Sequence, residues 1–128
     1  MSESKSKALS NVYQYITTVM SLTDFDWANV DEGLQDILEE LDELKQAQTA
    51  ARRFEEAGDV LFAVLNWFRW LGIEDPEAAL SAAQARFQAR LERLQARAAA
   101  EGKAINQYTT AELKAMWEVV KKEIGSSP

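Results

Sequence analysis

The chain has 128 residues, 47% of them hydrophobic, and its 21 acidic and 14 basic side chains leave a net charge of −7. That length suits one domain with a real core, and the negative balance argues against binding DNA or RNA as polymers, which takes a basic surface. Cysteine and histidine are absent, which excludes disulfides, zinc–thiolate sites, Ser–His and Cys–His nucleophiles and His-ligated metals.

Acid–base chemistry, if there is any, therefore falls on carboxylates, lysine, tyrosine or a metal. The opening MSESKSKALSN lacks the apolar centre of a signal peptide. No apolar run reaches the ~18–20 residues of a membrane span. A cytoplasmic protein without membrane contact is the expectation.

The pattern predicts an all-α bundle of about five helices. The first runs from about Lys5 to Ser21, with Leu9, Val12, Tyr13, Ile16, Val19 and Met20 at helical spacing. A connector, TDFDWANVD, carries Phe25 and Trp27. The second helix runs from about Val30 to Ala47, striped by Leu34, Ile37, Leu38, Leu41 and Leu44. The third spans about Ala51 to Leu71 and is stopped by Gly72. Asp75 then caps a fourth helix with Pro76 at its first position. That helix packs through Leu80, Ala83, Phe87, Leu91 and Leu94 before fraying into the loop-like ARAAAEGKAINQY. Thr109 and Glu112 form a capping box for the last helix, which shows Leu113, Met116, Trp117, Val120 and Ile124 and ends at Gly125.

On the second helix Glu39, Glu40 and Glu43 gather opposite the leucines, and taken alone they read as a solvated face. The third helix is unusual. Phe54, Ala57, Leu61, Val64, Leu65 and Phe68 line one side, and Ala63, Trp67 and Trp70 the other, with Asn66 beside them. A helix apolar on both sides is buried in a bundle or against a second subunit. Glu56 and Asp59, three residues apart, project from the head of its second side. The short QAQTAARR turn makes the two helices antiparallel, which brings the late acids of one near the early acids of the other. Grouped carboxylates need water, arginines such as Arg52 and Arg53, or a divalent metal; an all-oxygen set suits Mg²⁺ or Mn²⁺.

Together, Glu39-Glu40-x-x-Glu43, Glu56-x-x-Asp59, Asn66-Trp-Phe-Arg69, Leu71-Gly72 through Pro76-Glu77, and Arg86-Phe87-x-x-x-Arg90 resemble the MazG family of all-α nucleotide pyrophosphohydrolases. The FDW of Phe25 to Trp27 is similar to the family's lead-in, and TTAELKAMWEVVKK to its closing helix. The likeness covers about Asp24 to Lys122, so one MazG-like domain over residues 1–128 with its core at about 24–122 is expected. Arg86 stands where lysine is usual, and Trp67 and Trp70 are bulkier than the family's residues there.

The resemblance implies Mg²⁺-dependent hydrolysis of nucleoside triphosphates between the α and β phosphates, giving a monophosphate and pyrophosphate. Glu40, Glu43, Glu56 and Asp59 would hold the metal, with Glu39 as a further ligand or as the base that orients water. Arg86, Arg90 and Lys121 match basic positions for the phosphates, and Trp117 matches an aromatic near the base. Asn66 offers the amide a base reader needs, and Trp27 the flat side chain of a lid. Asp31, Glu32 and Asp36 read as solvated charges, and Arg93 and Arg97 as a solvated face. The two-sided third helix predicts a homodimer or a dimer of dimers. Rival readings are a narrower dUTP, dCTP or phosphoribosyl-ATP pyrophosphohydrolase, or a non-catalytic helical module binding a protein through Trp67 and Trp70.

Overall fold

Each helix starts where a side-chain oxygen takes up amide hydrogens that its first turn leaves unpaired. The computed structural model describes residues 7–23 and 25–125. Among them are five α-helices and no strand: α1 (Ala8–Leu22), α2 (Val30–Gln46), α3 (Ala50–Trp70), α4 (Pro76–Ala100) and α5 (Thr110–Ile124). The all-α expectation is met. The expected starts at Lys5 and Asp24 lie outside the described residues.

Asn29 caps α2 by accepting from Glu32 N at 2.8 Å, and Thr49 caps α3 by accepting from Arg52 N at 3.1 Å. Asp75 accepts from Ala78 N at 2.9 Å at the head of α4. At α5 the capping box is complete: Glu112 N donates to Thr109 Oγ1 at 3.1 Å, and Thr109 N donates to Glu112 Oε1 at 2.8 Å. The α1 helix has no side-chain cap of its own. Glu77, in the first turn of α4, supplies one, accepting from Leu9 N at 2.6 Å and Ser10 N at 3.1 Å. Gly72 and Gly125 follow α3 and α5 with φ of 77° and 74°, a backbone region that costs other residues a Cβ clash.

The chain divides into two compact units, Met1–Ala79 and Leu80–Pro128. In the first, α2 and α3 pack extensively as an antiparallel hairpin, and α1 lies on α3 through the buried Ile16. Trp67 Nε1 on α3 donates to Val30 O at the start of α2 at 2.9 Å, which fixes the register of the hairpin. In the second unit α4 and α5 bury Leu94, Ala98 and Val120, and Arg93 and Arg97 both reach Glu123 across the pair. The ARAAAEGKAINQY stretch is less loop-like than expected. Its alanines, the best helix formers, carry α4 through Ala100, and Ala98 is buried; irregular backbone and a short 3₁₀ turn (Ile105–Gln107) come only afterwards. No helix among the described residues is long and apolar enough to cross a membrane.

Two expectations about facing are corrected. On α2 the buried residues are Gly33 and Ile37, while Leu34, Leu38 and Leu41 are exposed, Leu38 by 51%. The side turned toward α3 therefore carries only Ile37 and Leu44 of the stripe, together with Gly33 and Glu40, and leaves Leu34, Leu38 and Leu41 outside. On α4 the first half of the apolar stripe, Leu80 and Phe87, is also exposed. The Trp67–Trp70 side of α3, by contrast, is half-buried within the chain.

Gly33 makes this packing feasible. A Cβ there would lie 2.6 Å from Trp67 Cδ1 and 2.8 Å from Trp27 Cε3, well inside contact distance. Gly33→Ala should therefore cost about 1–3 kcal/mol of stability by overpacking. Gly58→Ala, a mid-helix position with nothing within 4 Å, should instead stabilise by about 0.4–1 kcal/mol. Denaturant unfolding of both variants checks the pair.

Candidate functional site

Glu40 and Glu43 share one side of α2, and Glu56 and Asp59 one side of α3, by the three-residue spacing of helix neighbours. The hairpin brings them together. Carboxylate oxygens of Glu40, Glu43 and Glu56 lie within 4.8 Å of one another, a grouping that could hold a metal ion. Two unit charges at that separation repel by about 3–4 kcal/mol at an effective dielectric of about 20.

Burial sharpens the conflict. Glu56 is 4% exposed, unusual for a carboxylate. Its Oε1 accepts from Arg52 Nη2 at 2.6 Å, so the arginine pairing weighed from the sequence does form. Its Oε2, like Oε2 of Glu40, is enclosed with no hydrogen-bond partner among the described residues. Burial, then the charges of Glu43, Asp59, Glu56 and Asp36, push the Glu40 carboxyl above the usual carboxylate range. Burial likewise raises Glu56; Arg52 opposes this, and Glu43, Asp59 and Glu55 add to it. An exposed arginine covers one oxygen of the set and leaves the others uncompensated. These residues fit a hard divalent cation, which accepts oxygen ligands alone.

Beside the acids lies a cavity of about 270 Å³, lined among others by Trp27, Asp36, Glu40, Asp59, Phe62 and Asn66. Its lining combines carboxylates with aromatic and amide groups. Asp36 was expected to be a simple solvated charge. It remains exposed, yet Oδ2 accepts from Trp27 Nε1 at 2.6 Å and so holds the indole at the cavity. The signal was present in the sequence: Asp36, Glu40 and Glu43 recur at i, i+4 and i+7 on one face.

Asp26 and Arg69 also went unassigned from the sequence. Asp26 Oδ1 accepts from Arg69 Nη2 at 2.6 Å, Trp70 Nε1 at 3.0 Å and Trp27 N at 2.9 Å. Burial would raise the Asp26 carboxyl, but the bonds from Arg69, Trp70 and Trp27 outweigh it and hold it below the usual range. The connector before α2 is thereby pinned to the end of α3. No spacing rule links residues 43 positions apart.

Glu39 is exposed on α2. The remaining candidates belong to the second unit. There Arg86 is exposed, Arg90 Nη2 donates to Gly125 O at 3.3 Å, and Lys121 reaches Glu118 at 3.5 Å. Trp117 packs on Phe87 with ring centroids 5.3 Å apart, beside an apolar groove between α4 and α5.

A carboxyl with a raised pKa keeps its proton longer in the folded state than in the unfolded one. Without metal, stability should therefore fall as pH rises from the ordinary carboxylate range through the raised one, and return as pH drops. Glu40→Gln should raise the melting temperature at neutral pH in the presence of a chelator, flatten that pH dependence and weaken stabilisation by divalent ions. Thermal unfolding across pH, with and without metal, checks all three.

Comparison with known proteins adds an independent line. No protein-family profile matches the chain. A curated relative from Thermotoga maritima, named nucleoside triphosphate pyrophosphohydrolase/pyrophosphatase MazG, is 34% identical over 97 residues, covering 76% of this chain and 38% of the relative. The nucleoside triphosphate pyrophosphohydrolase of Escherichia coli K12 is 32% identical over 104 residues, covering 77% of this chain and 39% of the relative. The chain thus spans about two fifths of the length of the curated relatives it matches. Over about three quarters of its own length it is a homologue of the MazG proteins, and the resemblance carried by its ordered acidic motifs holds.

Proposed function

We propose that this chain is a Mg²⁺-dependent pyrophosphohydrolase that opens nucleoside triphosphates between the α and β phosphates, releasing a monophosphate and pyrophosphate. The observation that carries this reading is the convergence of Glu40, Glu43 and Glu56, with two enclosed carboxylate oxygens left without a partner among the described residues. The names of the two relatives support the same reaction class.

In this reading Glu40, Glu43, Glu56 and Asp59 hold Mg²⁺, with Mn²⁺ as a second fit to the same oxygens. When bound, the ion supplies neutralisation of the phosphate charge and polarisation of the phosphorus. Glu39, exposed beside Glu40, takes the proton of the attacking water as the P–O bond of the α–β bridge breaks and pyrophosphate departs. Glu40 and Asp59 both line the cavity, so a triphosphate on the carboxylates would direct its base into it. There Trp27 offers a face for stacking and Asn66 an amide for reading the base edge. Arg86, Arg90 and Lys121 are assigned to the phosphates and Trp117 to the base.

The same reading includes a homodimer or dimer of dimers. Leu34, Leu38 and Leu41 of α2 and Phe54 and Leu61 of α3 are exposed, Phe54 by 84%, and a second subunit is the natural cover for leucines that α3 does not take.

Glu56→Gln and Asp59→Asn should each lower pyrophosphate release by about 100-fold or more, because even the hydrogen-bonding partners of metal ligands cost about 10–100-fold when lost. Far-UV circular dichroism should show unchanged helicity. The assay uses a panel of nucleoside triphosphates with Mg²⁺, and parental rates in either variant would sink the assignment.

A further inference from the structure

Asn66 is 6% exposed and lines the cavity beside the acids. A buried amide has an oxygen that accepts and a nitrogen that donates, and which end faces a ligand is decided by what holds the other. Here the oxygen is taken. Arg69, one turn on along α3, donates to Asn66 Oδ1 from Nε at 3.2 Å and from Nη2 at 2.8 Å. A guanidinium has donors only, so the amide cannot turn over without setting N–H against N–H. The nitrogen of Asn66 donates to nothing among the described residues. Arg69 is itself anchored, because the same Nη2 reaches Asp26 Oδ1 at 2.6 Å and the guanidinium lies 5.9 Å from the Trp70 ring centre.

We infer that Arg69 is a positioning residue: braced on Asp26, it fixes the Asn66 amide so that only its N–H group is offered to the cavity, which selects a ligand presenting a hydrogen-bond acceptor there. Resting on the reaction proposed above, this makes the base edge at Asn66 a carbonyl oxygen or an unprotonated ring nitrogen; an exocyclic amino group turned to that position meets donor with donor. It also couples base reading to the seating of the connector, since Asp26 and Trp27 are adjacent and Trp27 lines the same cavity. If the brace is removed, Asn66 offers either end, and discrimination falls while the reacting phosphates, held elsewhere, are unaffected.

The test measures kcat and KM for ATP, GTP, CTP and UTP with Mg²⁺ in the parent chain, Arg69→Met and Arg69→Lys. Alongside it, the Asn66 side-chain amide resonances of isotope-labelled parent protein are followed as each nucleotide is added. Arg69→Met should raise KM for the preferred nucleotide about tenfold and narrow the differences among the four, with a smaller effect on kcat. Arg69→Lys should recover the melting temperature through its charge on Asp26 but not KM or the ranking, because one ammonium lacks the guanidinium's fixed fork. Parental KM and ranking in the lysine variant, or in a folded methionine variant, overturn the inference. If the methionine variant does not fold, the lysine variant and the resonances decide. Amide resonances that shift without pyrophosphate release remove the hydrolase reading and keep the amide assignment. Release with those resonances unmoved does the reverse, and neither response removes both.

Discussion

Like charges at close range govern this hairpin. Glu40, Glu43 and Glu56 place carboxylate oxygens within 4.8 Å of one another, on two helices whose packing also withdraws water from Glu40 and Glu56. Arg52 relieves one oxygen of Glu56 from the exposed edge, and the enclosed oxygens of Glu40 and Glu56 gain nothing from it. The arrangement costs stability in the isolated chain, as the upward displacement of both carboxyls reports. A divalent cation held by the same oxygens would offset that cost.

The rotation of α2 follows from the same constraint. A helix with a leucine stripe and an acidic face would ordinarily bury the leucines. Here Gly33, Ile37 and half-buried Glu40 and Leu44 follow the side turned to α3, and Leu34, Leu38 and Leu41 look out. Gly33 permits this because its missing side chain leaves room for both Trp27 and Trp67. The aromatic rings then supply the apolar contact that the leucines do not, and they wall the cavity next to the carboxylates. Site and packing are one arrangement, with the exposed leucines as its consequence.

A second layer holds the connector. Asp26 accepts three hydrogen bonds, Asp36 holds the Trp27 indole, and Trp67 reaches the start of α2. These contacts join segments distant in sequence, and Trp27 and Asp36 among them line the cavity beside the acids. Irregular backbone holds an aromatic in one place only when anchored on rigid elements, and α3 is the anchor.

Much of this was legible before any coordinates. The Thr109–Glu112 capping box, the Asp75–Pro76 start, the Gly72 and Gly125 stops and the pairing of α2 with α3 depend on neighbours a few residues apart, and local rules cover such distances. The acids were legible for the same reason, since the angle between Glu40 and Glu43, or Glu56 and Asp59, is set within a single helix. A helical wheel does not say how far that helix is turned about its axis relative to the next one. Only the tertiary structure decided that α2 turns Glu40 toward α3, that Asp36 holds Trp27, that Asp26 captures Arg69 and that Arg69 takes the oxygen of the Asn66 amide. Each of these is a choice between distant partners, settled by which packing the two tryptophans and Gly33 allow.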